Sequence, residues 1–200
     1  MIDAKTSDNG TSWATVSEAI RTRRSNLNVD LEKSVPREII DELIELAVVA
    51  PNHRRTNPWR FVVLTGNARS RLGDVVADAL AKQPDTKDSL LERNRTQFLR
   101  APAVVVVASA RDNDPILDFE NKHAVAAGIQ NILVGATAAG LASAWKSGSA
   151  MVEPDVSAAA KEALGLEATD EIVGFVYLGY PIAPPGSRPT PQAQVRYLDA

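Results

Sequence analysis

Residues 103–109 read Ala-Val-Val-Val-Val-Ala-Ser, seven positions without a charge and with four consecutive valines. β-Branched side chains suit a pleated strand. A run that is apolar at every position, rather than at every second one, belongs to a strand covered on both faces. This strand is therefore expected at the centre of a sheet with a layer on each side. Three companions are expected around it: Trp59 to Thr65, stopped by Gly66-Asn67; a short extended piece at Leu141 to Lys146; and Glu171 to Tyr180.

Helical patterns alternate with these runs. Thr15 and Glu18 have capping-box spacing, which predicts a helix start there with a cationic far end at Arg21, Arg23 and Arg24. A second helix follows Pro36, places Ile39, Ile40, Leu43, Ile44, Ala47 and Val48 on one apolar face, and stops by Pro51. Arg69 to Lys82 and Lys87 to Arg100 predict a polar hairpin joined at Pro84, and Pro154 to Leu164 a short helix closed by Gly165. Ile116 to Gly140 predicts a long helix. The uncharged segment Ala124 to Trp145, which overlaps its second half, is long enough to span a bilayer, but Gln130, Asn131, the interruption at Gly140 and many small residues argue for a helix buried on all sides by close packing. The expectation is a mixed α/β chain with helices flanking a sheet of four or more strands. Residues 1–12 read as a polar tail, and residues 13–200 as one domain ending in an extended arm from about 181, where Pro181, Pro184, Pro185, Pro189 and Pro191 forbid a helix.

Composition removes several classes of function. With 22 Lys plus Arg against 25 Asp plus Glu the formal net charge is -3, so no broad nucleic-acid field is expected. Absence of cysteine rules out disulfides, thiolate nucleophiles and Cys-based metal sites, and fits a cytoplasmic protein. The first dozen residues carry no apolar signal segment. There is no G-x-G-x-x-G or G-x-S-x-G, and Gly135 and Gly140 have phosphate-loop spacing without its Lys and Ser or Thr. His53 and His123 lie far apart and outside any ligand spacing, so no metal is expected.

Four local features remain. Arg21-Thr22-Arg23-Arg24-Ser25 concentrates guanidinium forks and a hydroxyl suited to phosphate, although arginines complementing a helix end would look the same. Ala50-Pro51-Asn52-His53-Arg54-Arg55-Thr56-Asn57-Pro58-Trp59 holds amide and imidazole groups beside an aromatic, suited to a flat heterocycle or equally to a plain surface loop. Trp145-Lys146-Ser147-Gly148 presents an aromatic, a cation and open backbone, or a core anchor and a solvated lysine. In Glu171 to Pro181, Gly174 and Gly179 let something pack closely on the sheet.

Together and in this order, the four features resemble the FMN-dependent nitroreductase family, in particular its small single-domain bacterial members. Arg23-Arg24-Ser25, Ala50-Pro51 through Pro58-Trp59, Trp145-Lys146-Ser147-Gly148 and Val173 to Gly179 match its motifs. The resemblance implies an α+β three-layer sandwich with a mixed, largely antiparallel sheet, and an intertwined homodimer with FMN at the interface. It implies that Arg23, Arg24 and Ser25 hold the phosphate and ribityl chain, that His53 and Asn57 approach from the loop, and that Trp145, Lys146 and Ser147 approach from the other side. Arg188 in the arm is an additional phosphate candidate by its charge and place alone. Lys146 stands where relatives often carry Arg, so it serves either the phosphate or another edge of the cofactor. Asn57 stands where Gln is common and reaches less far. No catalytic side chain is needed, since the flavin carries the chemistry. NADH or NADPH would give hydride to flavin N5, then leave for a nitroaromatic or quinone acceptor in a ping-pong cycle. A flavin storage or sensing protein, or a relative using reduced FMN for dehalogenation or flavin breakdown, fits the same residues. Neither a nucleic acid nor a membrane is expected as partner.

Overall fold

The structure, a computed structural model, describes residues 13–198. The expected tail at residues 1–12 lies outside the described residues, as do the last two residues of the arm. Strands β1 (Trp59–Thr65), β2 (Ala103–Ser109), β3 (Ala142–Lys146) and β4 (Glu171–Gly179) form one sheet in the order β1-β2-β4-β3, each pair antiparallel. The valine run is central, as its two-faced pattern requires, and all seven of its residues are buried. A parallel bridge from Ser25 to Ser143 extends the β3 edge and makes the arrangement mixed.

Alternation along β2 divides the core in two. Val104, Val106 and Ala108 face a layer built by α3 (Ala68–Leu80), α4 (Asp88–Thr96), α6 (Ser149–Val152) and α7 (Pro154–Leu164), packing with Leu72, Val76, Phe98, Val156 and Phe175. Ala103, Val105 and Val107 face α2 (Arg37–Val48) and α5 (Pro115–Ala138), packing with Ile40, Leu43, Val125, Ile129 and Ile132. The three-layer sandwich expected from the resemblance is the observed architecture.

The small residues of α5 set its distance from α2. A Cβ at Gly128 would lie 2.9 Å from the Ala47 carbonyl oxygen and 3.0 Å from Trp59 Nε1, and one at Gly135 would lie 2.7 Å from Leu46 Cδ1. Gly128→Ala therefore forces backbone apart, a cost of about 1–3 kcal/mol that outweighs the roughly 1 kcal/mol gain in helix propensity. A fall in Tm of a few degrees is expected in thermal unfolding; an unchanged or raised Tm would show that the two helices give way freely.

Several boundaries differ from expectation. Helix α1 (Trp13–Thr22) already contains Trp13 and Ala14, so Thr15 lies within the helix instead of capping it. Helix α5 is capped by Asp114, whose side chain accepts from the Ile116 amide at 2.9 Å with Pro115 in the first turn. It is not buried on all sides. Gln130 and Ala138 are exposed, and Val16 and Ile20 of α1 with Leu46 and Val49 border an apolar groove along that face. Ser149 begins the short helix α6, which the sequence pattern did not mark, and the hairpin ends in a 3-10 turn at Gln97–Arg100. None of the described helices is long and apolar enough to cross a membrane.

Burial pushes the Tyr177 phenol up to about 12, with the Arg100 charge acting in the opposite direction. An exposed tyrosine ionises near pH 10. The raised folded value means the unfolded chain releases its proton first, so stability is full below about pH 10 and is lost as pH climbs towards 12. Tyr177→Phe should flatten that alkaline loss in denaturant unfolding. An unaltered pH profile would assign it to other groups.

Candidate functional site

At its C-terminus α1 exposes carbonyl oxygens, a partly negative end that the local arginines must offset. Arg24 Nη1 donates to the carbonyls of Arg21 at 2.6 Å and Arg23 at 2.8 Å, so this side chain caps its own helix. Its Nε is buried and has no hydrogen-bond partner among the described residues, and neither has the buried Ser143 Oγ. Arg23 and Arg24 line a cavity of about 230 Å³ together with Thr22, Asn26, Thr137, Pro181 and Pro185. Ser25 is exposed beside β3, where the Asn26 amide donates to the Ser143 carbonyl at 3.0 Å. Residues 23–25 are thereby fixed against the start of β3.

The other end of β3 carries Trp145 and Lys146, followed by Ser147, all three exposed. Side chains alternate along a strand, so Trp145 and Lys146 leave the sheet on opposite faces. Trp145 lies across β4, with Nε1 donating to the Val173 carbonyl at 3.4 Å. Two features of β4 permit this. A bulge sets Val107 opposite Gly174 and Ala108 opposite Ile172, which leaves Val173 as the extra residue. At Gly174 a Cβ would lie 2.0 Å from Trp145 Nε1, so only glycine admits the indole. Beside the following turn, a Cβ at Gly148 would lie 3.3 Å from Gln97 Oε1, which brings the end of the polar hairpin to this site.

The loop between α2 and β1 forms a second group. Arg54, Arg55 and Asn57 have φ values of 54°, 52° and 50°. Left-handed backbone costs about 1 kcal/mol or more for residues such as arginine and less for asparagine. Side chains hold the loop in that form: Asn52 Nδ2 donates to Thr56 Oγ1 at 2.9 Å, Thr56 Oγ1 donates to Asn121 Oδ1 at 2.5 Å, and the Asn57 amide donates to Asn52 Oδ1 at 2.9 Å. His53 Nδ1 meets Glu120 Oε2 at 2.6 Å. His53, Phe119, Glu120 and His123 line a cavity of about 550 Å³.

Within one chain these groups do not converge. His53 is tied to Glu120 near the start of α5, whereas Arg23 shares its cavity with Thr137 near the end. Glu120 and Thr137 are seventeen positions apart along α5, about 25 Å at 1.5 Å per residue, more than the length of an FMN molecule. From Ala142 to Lys146, by contrast, β3 covers only about 13 Å. The structure thus unites Arg23, Arg24 and Ser25 with Trp145, Lys146 and Ser147 along one strand and leaves His53 and Asn57 apart. Arg188 is exposed in the arm and makes no contact with that cavity, which Pro181 and Pro185 border. Sequence reasoning missed Glu120, Asn121, Ser143 and Gln97. Only a contact map could reveal them, because each acts on a residue dozens of positions away.

A profile of the Nitroreductase family matches residues 20–180, most of the chain. This chain belongs to the Nitroreductase family. It is similar to YdjA of Escherichia coli strain K12, named as an NAD(P)H nitroreductase, at 31% identity over 146 residues, which cover 72% of this chain and 76% of YdjA. The crystal structure of a nitroreductase-like family protein from Bacillus cereus shares 30% identity with a TM-score of 0.74, covering 94% of this chain and 95% of that one. A nitroreductase from Bacteroides fragilis, crystallised with bound FMN, shares the fold at 24% identity and a TM-score of 0.74, covering 92% of this chain and 98% of that one. The family expected from the motifs, and its fold, are those found.

Proposed function

We propose that this nitroreductase-family chain is an FMN-dependent NAD(P)H oxidoreductase, active as a homodimer, that reduces nitroaromatic or quinone-type acceptors. The observation that carries it is the placement of Arg23 to Ser25 at one end of β3 and Trp145 to Ser147 at the other, by the Ser25 to Ser143 bridge. Arg23, the orphaned Arg24 Nε and Ser143 Oγ offer a cation and hydrogen-bonding groups for the phosphate and ribityl end. Trp145 and the backbone of Ser147 and Gly148 flank the ring end, and Lys146 offers positive charge at its edge. When bound, FMN supplies hydride transfer between reductant and acceptor, and the protein's work is to hold it, leave one face open and place charge.

The separate loop is explained if a second copy supplies it. Arg23 to Ser25 of one chain and His53 and Asn57 of the other then share one cofactor, and the apolar groove between α1, α2 and α5 is the surface the copies cover. Residues beyond 181 expose Ile182, Val195, Tyr197 and Leu198 and would cross as an arm, bringing Arg188 towards a phosphate. FMN-binding capacity would then reside in one unit from residue 13 onward. Reductant and acceptor use the same open face in turn, which gives parallel lines in double-reciprocal plots.

The test is the visible spectrum of the purified protein during anaerobic addition of NADPH and then NADH. A flavin band that bleaches, and returns with a quinone, supports the proposal. A band that neither nucleotide bleaches favours storage or sensing of flavin, and no band after FMN is supplied defeats it.

A further inference from the structure

We infer that Glu120 is a positioning residue that fixes the proton of His53 on Nδ1, leaving Nε2 as a bare acceptor for a hydrogen bond from the cofactor. The inference rests on FMN occupying the site proposed above. Its basis is the 2.6 Å contact between His53 Nδ1 and Glu120 Oε2, which joins the strained loop to α5 across 67 residues of sequence. An ionised carboxylate only accepts, so Nδ1 must donate. In a neutral imidazole the remaining nitrogen then carries a lone pair and no proton.

His53 is exposed, and its Nε2 has no partner among the described residues. His123 is engaged within its own helix, its Nδ1 donating to the Phe119 carbonyl at 2.7 Å, and the contact that His53 Nδ1 makes is with Glu120. The other charged groups nearby are Arg54 and Arg55 on the same loop, which only donate. His53 is thus the acceptor-bearing imidazole on this loop, and Thr56 to Asn121 provides a second tie against rotation of the loop. An acceptor of this kind complements a donor of the flavin, and FMN has two kinds: the ring N3–H and the ribityl hydroxyls. Side chains that orient a histidine through its far nitrogen do so by the same means elsewhere in proteins.

Two measurements test this separately. In FMN-free protein, nitrogen NMR at high pH should find His53 with its proton on Nδ1 in wild type and in Glu120→Gln, whose amide oxygen still accepts. Glu120→Ala should shift the proton to Nε2. A wild-type His53 protonated on Nε2 overturns the inference whether or not FMN binds. FMN titrations then read the coupling: His53→Ala and Glu120→Ala should each raise Kd about tenfold, and the double variant should be no weaker than His53→Ala alone. Losses that multiply to about a hundredfold would show that Glu120 acts independently and overturn it. Wild type that binds 3-methyl-FMN about tenfold more weakly than FMN, with His53→Ala binding both alike, assigns the donor as N3–H. Equal binding of both by wild type assigns a ribityl hydroxyl. Failure of wild type to bind FMN at all refutes the proposed function and leaves the NMR result standing.

Discussion

Arg23→Ala should weaken FMN binding by about 10- to 100-fold while leaving riboflavin binding nearly unchanged. Arg23 and Arg24 both line the cavity beside β3, but Arg24 spends its Nη1 on the carbonyls of Arg21 and Arg23, which leaves Arg23 with its guanidinium uncommitted. A helix C-terminus repels a phosphate, so a full positive charge has to hold one there. Charge-assisted hydrogen bonds contribute about 1.5–3 kcal/mol, and about 1.4 kcal/mol is a factor of ten in Kd. Riboflavin lacks the phosphate and is the control. The wild-type preference for FMN should also shrink as salt rises, since the pair is open to solvent. Equal losses for both ligands, or none for FMN, would remove Arg23 from the phosphate. Arg24→Ala should also lower stability by about 1 kcal/mol through loss of the helix-end hydrogen bonds, in addition to removing the buried Nε from the proposed site.

Gly174→Ala should cost at least tenfold in FMN affinity with little loss of fold. The new methyl would sit 2.0 Å from Trp145 Nε1 and 2.5 Å from its Cδ1, positions no side chain tolerates, so the indole must leave β4. Trp145 is 39% exposed and can swing outward without opening the core beneath Val176 and Leu178, which are both fully buried. Its hydrogen bond to Val173 is lost, and with it the ring end of the proposed site. Stability should fall by only about 1 kcal/mol, or a few degrees in Tm, while tryptophan emission shifts to longer wavelength. A large drop in Tm together with normal FMN affinity in the folded fraction would mean that Trp145 anchors the core and does not border the ligand.

These two positions show what sequence could and could not disclose. Strands β1 and β2 were legible to the residue, because β-branched runs ending at Gly66-Asn67 and Ser109 leave no other economical way to bury them. Gly174 was legible as a place of close approach, but not the indole that approaches it, since that depends on β3 pairing with β4. Arg23 and Arg24 looked equivalent. Both border the cavity, and only the backbone path shows that Arg24 is the one that also caps α1. The exposed stripe of α5 misled because small apolar residues read alike whether they meet another helix of the same chain or border a surface groove. His53 was visible as a candidate, whereas Glu120 was not, because nothing in a local pattern links residues 67 positions apart.

Mixing two broken chains tests the two-copy site most directly. Co-expressed Arg23→Ala and His53→Ala chains, separated by different tags, give mixed dimers in which one site carries both defects and the other carries neither. Mixed dimers are expected to recover one tightly bound FMN per two chains, while each variant alone binds weakly. Mixed dimers that bind no better than either parent would place Arg23 and His53 on the same chain's cofactor and contradict it.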